Sequence, residues 1–338
     1  MQGLDSPCTM MTTYLLSLMV ALLSSSAAVI GSAGPEPKRI EAQYDAPWHL
    51  QMVSNRDPGT FRQPYRYDDS AGTGIYVYVL DGGVSPSHLE FREGQVIKLP
   101  VPVDDLCSLV EPSIHATQIA SMIAGQTVGV AKNATIVSVS IGSEDDDDCN
   151  HWRFCMMGME HTFRDIMRNG RQNNSVVNLS LGYDSMSAED PWACIGLNFW
   201  MYMFQDRGIP VVTAAGNEAR DAINTCPGNA SSSINVGSVD PWWWRSPYSN
   251  WGEAVDMLAP GDHVFLANAS DESGGLMEAG GTSFAAPMVS GMVAYLLGKD
   301  GYINPTDMRY RLQEIATKDK IFDVMGSENL LLYNGEGF

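Results

Sequence analysis

The sequence predicts a single α/β domain built on a mostly parallel, doubly wound sheet with helices on both faces. Short β-branched and aromatic stretches bounded by glycines, such as residues 75–80, recur along the chain and predict buried strands. Stretches of helical length stand between several of them, and strand–helix alternation at this interval is typical of a parallel sheet. With 338 residues, 44% of them hydrophobic, the chain can bury one large core.

Individual elements follow from the local patterns. Residues 34–61 contain several prolines and predict an irregular segment that crosses the surface. After the strand at 75–80, strands are predicted at residues 134–141, 175–181, 209–214 and 234–239. Helices are predicted at residues 115–125, 156–168, 197–206 and from Ser283 onward, with Pro287 near a first turn where it costs little.

The N-terminus has the pattern of a secreted, extracellular protein. Residues 14–30 are apolar and precede the small residues Gly31-Ser32-Ala33, which predicts a signal peptide over residues 1–33. Lys38-Arg39 is a dibasic pair, which predicts trimming by a secretory-pathway processing protease, so residues 34–43 are expected to be a short processed or linker segment before a domain at residues 44–338. Once the signal is removed, no stretch is long and apolar enough to cross a bilayer.

Charge and cysteine content narrow the class further. A formal net charge of −20 excludes nucleic acid and anionic membrane surfaces as partners, because a strongly acidic surface repels both. An odd number of cysteines after the signal allows two disulfides at most, with one thiol unpaired and the pairing left open. These cysteines are Cys107, Cys149, Cys155, Cys194 and Cys226. Four glycosylation sequons are expected in surface loops, at Asn133, Asn173, Asn229 and Asn268, whereas Asn178 lies in an apolar strand and is expected to be buried.

Four polar residues are candidates for an active site. Asp81 and Asn217 each follow a buried strand, and open α/β sheets bind ligands at the carboxyl ends of their strands. His115 falls in the first turn of a helix, and Ser283 begins a helix after two glycines. A simple turn, a structural histidine and an ordinary helix cap are the alternative interpretations of these positions.

The chain order Asp81, His115, Ser283 is the order of the subtilisin triad, which uses an asparagine as oxyanion donor. Eight ordered stretches resemble subtilisin-like serine proteases of the proteinase K branch. They are APWHL from residue 46, YDDSAGTGIYVYVLDGGV from 67, HATQIASMIAG from 115, GVAKNATI from 129, VVNLSLG from 176, AAGN from 214, YSNWGEAVDMLAPG from 248 and GGTSFAAPMVSG from 280. The resemblance implies a subtilisin-like fold over nearly all of the mature chain.

The resemblance also implies a role for each matching residue. Ser283 resembles the nucleophile, His115 the general base and acid, and Asp81 the residue that orients the imidazole; Asn217 resembles the oxyanion donor, together with the Ser283 amide. The backbone walls that would bind an extended peptide are Ser180, Leu181, Gly182, Ala214, Ala215 and Gly216. No cofactor is expected for catalysis. A structural calcium is expected at Asp256, completed by the carbonyls of Ser231 and Ser233, although the family has proline at the first of these.

Several departures from the family pattern leave two functions open. Gly82 replaces a Thr or Ser whose hydroxyl bonds the triad carboxylate, the family motif HGTH reads HATQ, and Phe284 replaces Met. The segment before residue 46 is also too short for the family's folding prodomain. The favoured interpretation is a monomeric, secreted serine endopeptidase acting on proteins or peptides through an acyl-enzyme. The alternative is a catalytically weak or inactive pseudoprotease that serves as a binding or decoy module.

Two further stretches predict surface properties. The acidic run at residues 144–148 matches a glycine-rich substrate-binding edge in the family, which predicts a preference for Lys or Arg upstream of the cleaved bond. Pro241-Trp242-Trp243-Trp244 is expected to form an exposed aromatic patch, with packing under a neighbouring loop as the alternative.

Overall fold

A central sheet organises the computed structural model, which describes residues 39–58, 62–101, 112–142, 151–185, 191–270 and 274–337. The strands are β1 (Ile40–Gln43), β2 (Tyr65–Asp68), β3 (Tyr76–Asp81), β4 (Val96–Leu99), β5 (Thr135–Ser140), β6 (Ser175–Leu179), β7 (Tyr183–Asp184), β8 (Val211–Ala214), β9 (Thr225–Cys226), β10 (Ile234–Val239), β11 (Met257–Pro260), β12 (Val264–Ala267), β13 (Leu276–Ala279), β14 (Thr317–Lys318) and β15 (Leu330–Leu331). The helices are α1 (Trp48–Val53), α2 (Ile114–Ala124), α3 (His151–Arg168), α4 (Pro191–Asp206), α5 (Thr282–Asp300) and α6 (Pro305–Ile315).

The large sheet is parallel except at one edge, as the sequence predicts. It has nine described strands in the order β14-β15-β11-β10-β8-β6-β3-β5-β4, and β14 and β15 form its antiparallel pair. Three two-stranded sheets, β1-β2, β7-β9 and β12-β13, lie outside it. The predicted α/β class with a mostly parallel sheet is confirmed.

Alternate side chains of β3 enter two separate cores, which explains why helices cover both faces. Val77 and Val79 pack in one core with α2 and α5, and Tyr78 and Leu80 pack in the other with α3 and α4. A strand buried on both faces reads as a continuous apolar run rather than an alternating one.

The segment before the sheet is more regular than the sequence predicts. Residues 40–43 form β1 and pair antiparallel with β2, from Ile40 opposite Asp68 to Gln43 opposite Tyr65. α1 follows within the stretch expected to be irregular. Strand pairing therefore attaches residues 40–43 to the compact unit that runs from Arg39 onward, rather than leaving them in a linker. Prolines flank these elements and do not interrupt them.

Candidate active site

Three neighbouring strands bring the predicted site residues to one edge of the sheet. β3 ends at Asp81, Ser180 follows β6, and Asn217 follows β8. Because β8, β6 and β3 are adjacent and parallel, their carboxyl ends meet at the same edge. This is where an open parallel sheet places an active site.

Asp81 and His115 form a hydrogen-bonded pair at this edge. His115 Nδ1 lies 2.9 Å from Asp81 Oδ2, and the two side chains are 31% and 10% exposed. Asp81 Oδ1 accepts from the backbone amide of Gly82 at 2.7 Å and from the Ser113 hydroxyl at 3.4 Å. A carboxylate that accepts from Nδ1 leaves Nε2 as the basic nitrogen, which is the tautomer a general base requires.

The N-terminus of α5 enters the same edge and carries Ser283. The Ser180 hydroxyl donates to the Ser283 carbonyl at 2.9 Å. Pro287 lies inside the helix four residues later and has no N–H, so it cannot supply the bond that an ordinary residue would give this carbonyl. The Ser180 hydroxyl takes the place of this missing bond, and the small cost expected of Pro287 stays a prediction.

The Ser283 hydroxyl faces Ser180 in this structure. It donates to the Ser180 carbonyl at 3.1 Å. A hydroxyl has one proton, so the same bond cannot be made to His115 at the same time. His115 lies nearby, with its ring centroid 5.7 Å from that of Phe284, the residue after Ser283. Rotation about one side-chain bond would redirect the serine proton.

Asn217 is held with its amide orientation fixed. The backbone N–H and the hydroxyl of Thr282 both donate to Asn217 Oδ1, at 2.8 and 2.9 Å. Since Oδ1 accepts these bonds, Nδ2 is left to donate on the other side of the amide. Asn250 fixes the loop that carries Asn217, because its Nδ2 donates to the Ala215 carbonyl at 2.9 Å and its Oδ1 accepts from Glu218 N at 3.1 Å. Sequence reasoning missed both supporting residues, although each lies within a stretch that carries the resemblance.

The predicted peptide-binding walls flank this arrangement. Ser180, Ala214 and Ala215 are buried. Gly216 has φ of +102°, and a Cβ there would lie 2.4 Å from Asn250 Nδ2, so the position requires glycine. A peptide bound along Ser180-Leu181-Gly182 and Ala214-Ala215-Gly216 stays a prediction.

An arginine lies at the predicted calcium site. Arg309 Nη1 pairs with Asp256 Oδ1 at 3.2 Å, and its Nη2 donates to the carbonyls of Ser231, at 2.7 Å, and Ser233. The other carboxylate oxygen of Asp256 accepts from Asn235 N at 2.8 Å. The three expected ligands, the Asp256 carboxylate and the carbonyls of Ser231 and Ser233, therefore already have partners. One of these partners, the Arg309 guanidinium, is itself a cation. The residues as arranged do not fit a calcium ion.

The structure answers part of the question of which cysteines pair. Cys194 in α4 and Cys226 in β9 form a disulfide, and Cys155 is unpaired and buried, which raises the pKa of its thiol to about 12. Cys107, Cys149, the signal peptide and the acidic run at 144–148 lie outside the described residues.

Trp242 and Trp244 are 65% and 49% exposed, whereas Trp243 is 2% exposed and packs in a core cluster, so the patch has two indoles rather than three. No helix in the described ranges has the length and apolarity needed to cross a membrane.

Comparisons with known proteins show which family this chain matches. A sequence model of the Subtilase family matches residues 72–330. An alkaline proteinase of Hapsidospora chrysogena is 35% identical over 86% of this chain and 68% of its own length. A cuticle-degrading protease of Metarhizium anisopliae is 33% identical over 88% of this chain and 72% of its own. The crystal structure of a cold-adapted subtilisin-like serine proteinase superposes with a TM-score of 0.72 at 30% identity, over 86% of this chain and 98% of the other.

Proposed function

We propose that this chain, which belongs to the subtilase family and is a subtilisin-like serine endopeptidase, cleaves peptide bonds through an acyl-enzyme on Ser283. One observation carries the proposal: the hydrogen-bonded pair Asp81–His115 stands beside the helix N-terminus that presents Ser283. Nucleophile, base and orienting carboxylate are the groups that this chemistry requires.

The first half-reaction forms the acyl-enzyme. Ser283 Oγ attacks the substrate carbonyl carbon while its proton passes to His115 Nε2. The tetrahedral intermediate then collapses, the carbon–nitrogen bond breaks, and the amine leaves with that proton. Asp81 accepts from Nδ1 throughout, so it holds the imidazole in place and stabilises its positive charge.

The second half-reaction uses water. A water molecule attacks the ester carbon and gives a proton to His115, which returns it to Ser283 Oγ as the carboxylic acid product leaves. Negative charge develops on the carbonyl oxygen in both halves. Asn217 Nδ2 and the Ser283 amide are proposed as its donors, a role for which the fixed Asn217 orientation is suited.

The bond from the Ser283 hydroxyl to the Ser180 carbonyl supports the alternative of an inactive fold, since it uses the proton that the base would have to accept. A fluorophosphonate probe separates the two functions, because only an activated serine is phosphonylated. We expect the wild type to be labelled and to cleave casein, and Ser283→Ala to do neither while keeping its melting temperature. Absence of labelling in a folded wild type would favour the pseudoprotease.

Secretion is part of the same proposal. The Cys194–Cys226 disulfide supports it, because such bonds form and persist in oxidising compartments. Mass spectrometry of the protein from culture medium should find an N-terminus after residue 33, or after Arg39 where the dibasic pair is cleaved. A full-length chain retained inside the cell would count against both the signal peptide and the extracellular location.

A further inference from the structure

We infer that Ser113 is a positioning residue of the catalytic site, which fixes the Asp81 carboxylate and the helix of His115 with one hydroxyl. The inference rests on the proposed function, because it assigns a role within the proposed triad. It concerns a residue that no motif of the sequence singles out.

The Ser113 hydroxyl makes two bonds at once. It accepts from the Ala116 backbone N–H at 2.9 Å, which makes Ser113 the N-cap of α2. It donates its proton to Asp81 Oδ1 at 3.4 Å. One oxygen atom therefore connects the carboxylate at the end of β3 to the first turn of the helix that carries His115.

Gly82 provides the space for this side chain. A Cβ at position 82 would lie 2.6 Å from Ser113 Cβ and 2.8 Å from Ser113 Oγ, which is closer than atoms of two side chains can approach. The two positions thus compete for the same volume beside Asp81. Gly82 lacks the hydroxyl that the family has at this position. Its small size leaves room for the Ser113 hydroxyl, which donates to Asp81 instead.

Backbone contacts hold the two segments in register. Ser113 N donates to the Gly83 carbonyl at 2.8 Å. Thr117 Oγ1 donates to the Ser113 carbonyl at 2.9 Å and accepts from Ser85 N at 3.0 Å. The backbone N–H, the backbone carbonyl and the hydroxyl of Ser113 therefore all have hydrogen-bond partners, and these bonds define the direction of the hydroxyl.

An exchange of the hydroxyl between the two positions tests the role. Ser113→Gly removes the hydroxyl but keeps a residue that caps helices nearly as well as serine. We expect roughly a tenfold loss of kcat at unchanged KM, the lower end for a bond to a charged group because this one is long. Gly82→Ser alone should also lose activity through the clash. Gly82→Ser combined with Ser113→Gly should return to within about threefold of the wild type, because the introduced hydroxyl then enters the vacated space.

The pH profile of kcat/KM separates positioning from helix capping. A carboxylate with one donor fewer attracts the proton on the imidazole more strongly, so the acid limb should move to higher pH in Ser113→Gly and return in the double variant. Ser113→Asp keeps the cap acceptor but has no donor and adds charge; it should move the limb further in the same direction. If Ser113→Gly does not fold, Ser113→Asp provides the test of the pH profile in its place. Ser87→Gly, an exposed serine of the same region, is the matched control.

Every outcome decides the inference. An active wild type with Ser113→Gly equally active, or a double variant no better than Ser113→Gly, overturns the role of Ser113 and leaves the triad intact. A folded wild type that neither cleaves substrate nor reacts with the fluorophosphonate probe overturns the proposed function and this inference with it. A tenfold loss that the double variant reverses, with the acid limb following it, establishes the role.

Discussion

Ser180 and Ser283 are joined by two reciprocal hydrogen bonds. The Ser180 hydroxyl donates to the Ser283 carbonyl at 2.9 Å, and the Ser283 hydroxyl donates to the Ser180 carbonyl at 3.1 Å. The first bond replaces the helical bond that Pro287 cannot make, and the second sets the resting direction of the nucleophile. One serine of the predicted peptide-binding wall thus serves the helix that carries the catalytic serine.

Ser180→Ala should therefore destabilise the domain by about 1–2 kcal/mol, because it leaves the Ser283 carbonyl and the Asn178 amide without their partner. Urea unfolding measures this loss. Adding Pro287→Ala restores an N–H four residues after Ser283 and should recover part of the loss. The part of the loss that comes from the unpaired Asn178 amide should remain. A double variant no more stable than Ser180→Ala would show that Pro287 is not the reason for the bond.

Asn217→Ala should lower kcat by roughly 100- to 1000-fold with little change in KM, the loss known for the oxyanion asparagine of subtilisin. Thr282→Val is the matched comparison. It removes the hydroxyl bond to Asn217 Oδ1 and the bond that Thr282 Oγ1 accepts from Gly216 N, but it keeps the backbone bond to Asn217, so it should cost much less. Steady-state kinetics on a peptide anilide measures both. Equal losses in the two variants would mean that amide orientation, rather than donation from Nδ2, is what matters.

The arginine at the predicted calcium site makes a prediction about metal dependence. Because Arg309 contacts the Asp256 carboxylate and both expected carbonyl ligands, the melting temperature of the wild type should be the same with calcium and with a chelator. Arg309→Met should lose about 1–3 kcal/mol through unpaired polar groups. Calcium should then restore part of this loss, since the oxygen atoms that remain suit that ion.

Arg311→Met is the control for this experiment. Arg311 lies on the same helix, and its pair with Glu314 is exposed, so its replacement should change stability by less than about 1 kcal/mol. A wild type whose melting temperature rises with calcium would contradict the assignment of Arg309 to this position.

The acidic run at residues 144–148 still predicts a substrate preference. Cleavage should favour Lys or Arg a few residues upstream of the cleaved bond by a few-fold, because exposed charge pairs are worth only about 0.2–1 kcal/mol. The preference should weaken at high salt as screening increases. A peptide library at two salt concentrations measures it, with Asp146, Asp147 and Asp148 replaced by Gly-Ser-Gly as the comparison. A preference that survives this replacement would have another origin.

The sequence predicts the parts of the site that local pattern determines. The five predicted strands lie within two residues of β3, β5, β6, β8 and β10 at both ends. Asp81 could be placed because it stands at the carboxyl end of one such strand, and Asn217 because it comes shortly after another; the parallel order then brings them together. Asn178 is fully buried as predicted from its apolar neighbours.

The contacts that the sequence does not predict are those between distant side chains. Arg309 reaches carbonyls 76 and 78 residues away, and Ser180 reaches Ser283 across 103 residues. Nothing in the local pattern of either segment gives the direction of such a side chain. The regular structure of residues 40–43 depends in the same way on its partner β2.

The position of α5 has a consequence for the order in which the protein is made. This helix packs against β6, β8, β10 and β11 and is almost entirely buried, yet it begins only at Thr282. Until the ribosome has released these residues, the sheet face that α5 shares with α2 is only partly covered, and the apolar side chains that α5 buries remain exposed to water. Ser283, the proposed nucleophile, lies on α5, the same helix that completes this core. A growing chain therefore cannot assemble the proposed catalytic centre until the segment from Thr282 onward has been translated.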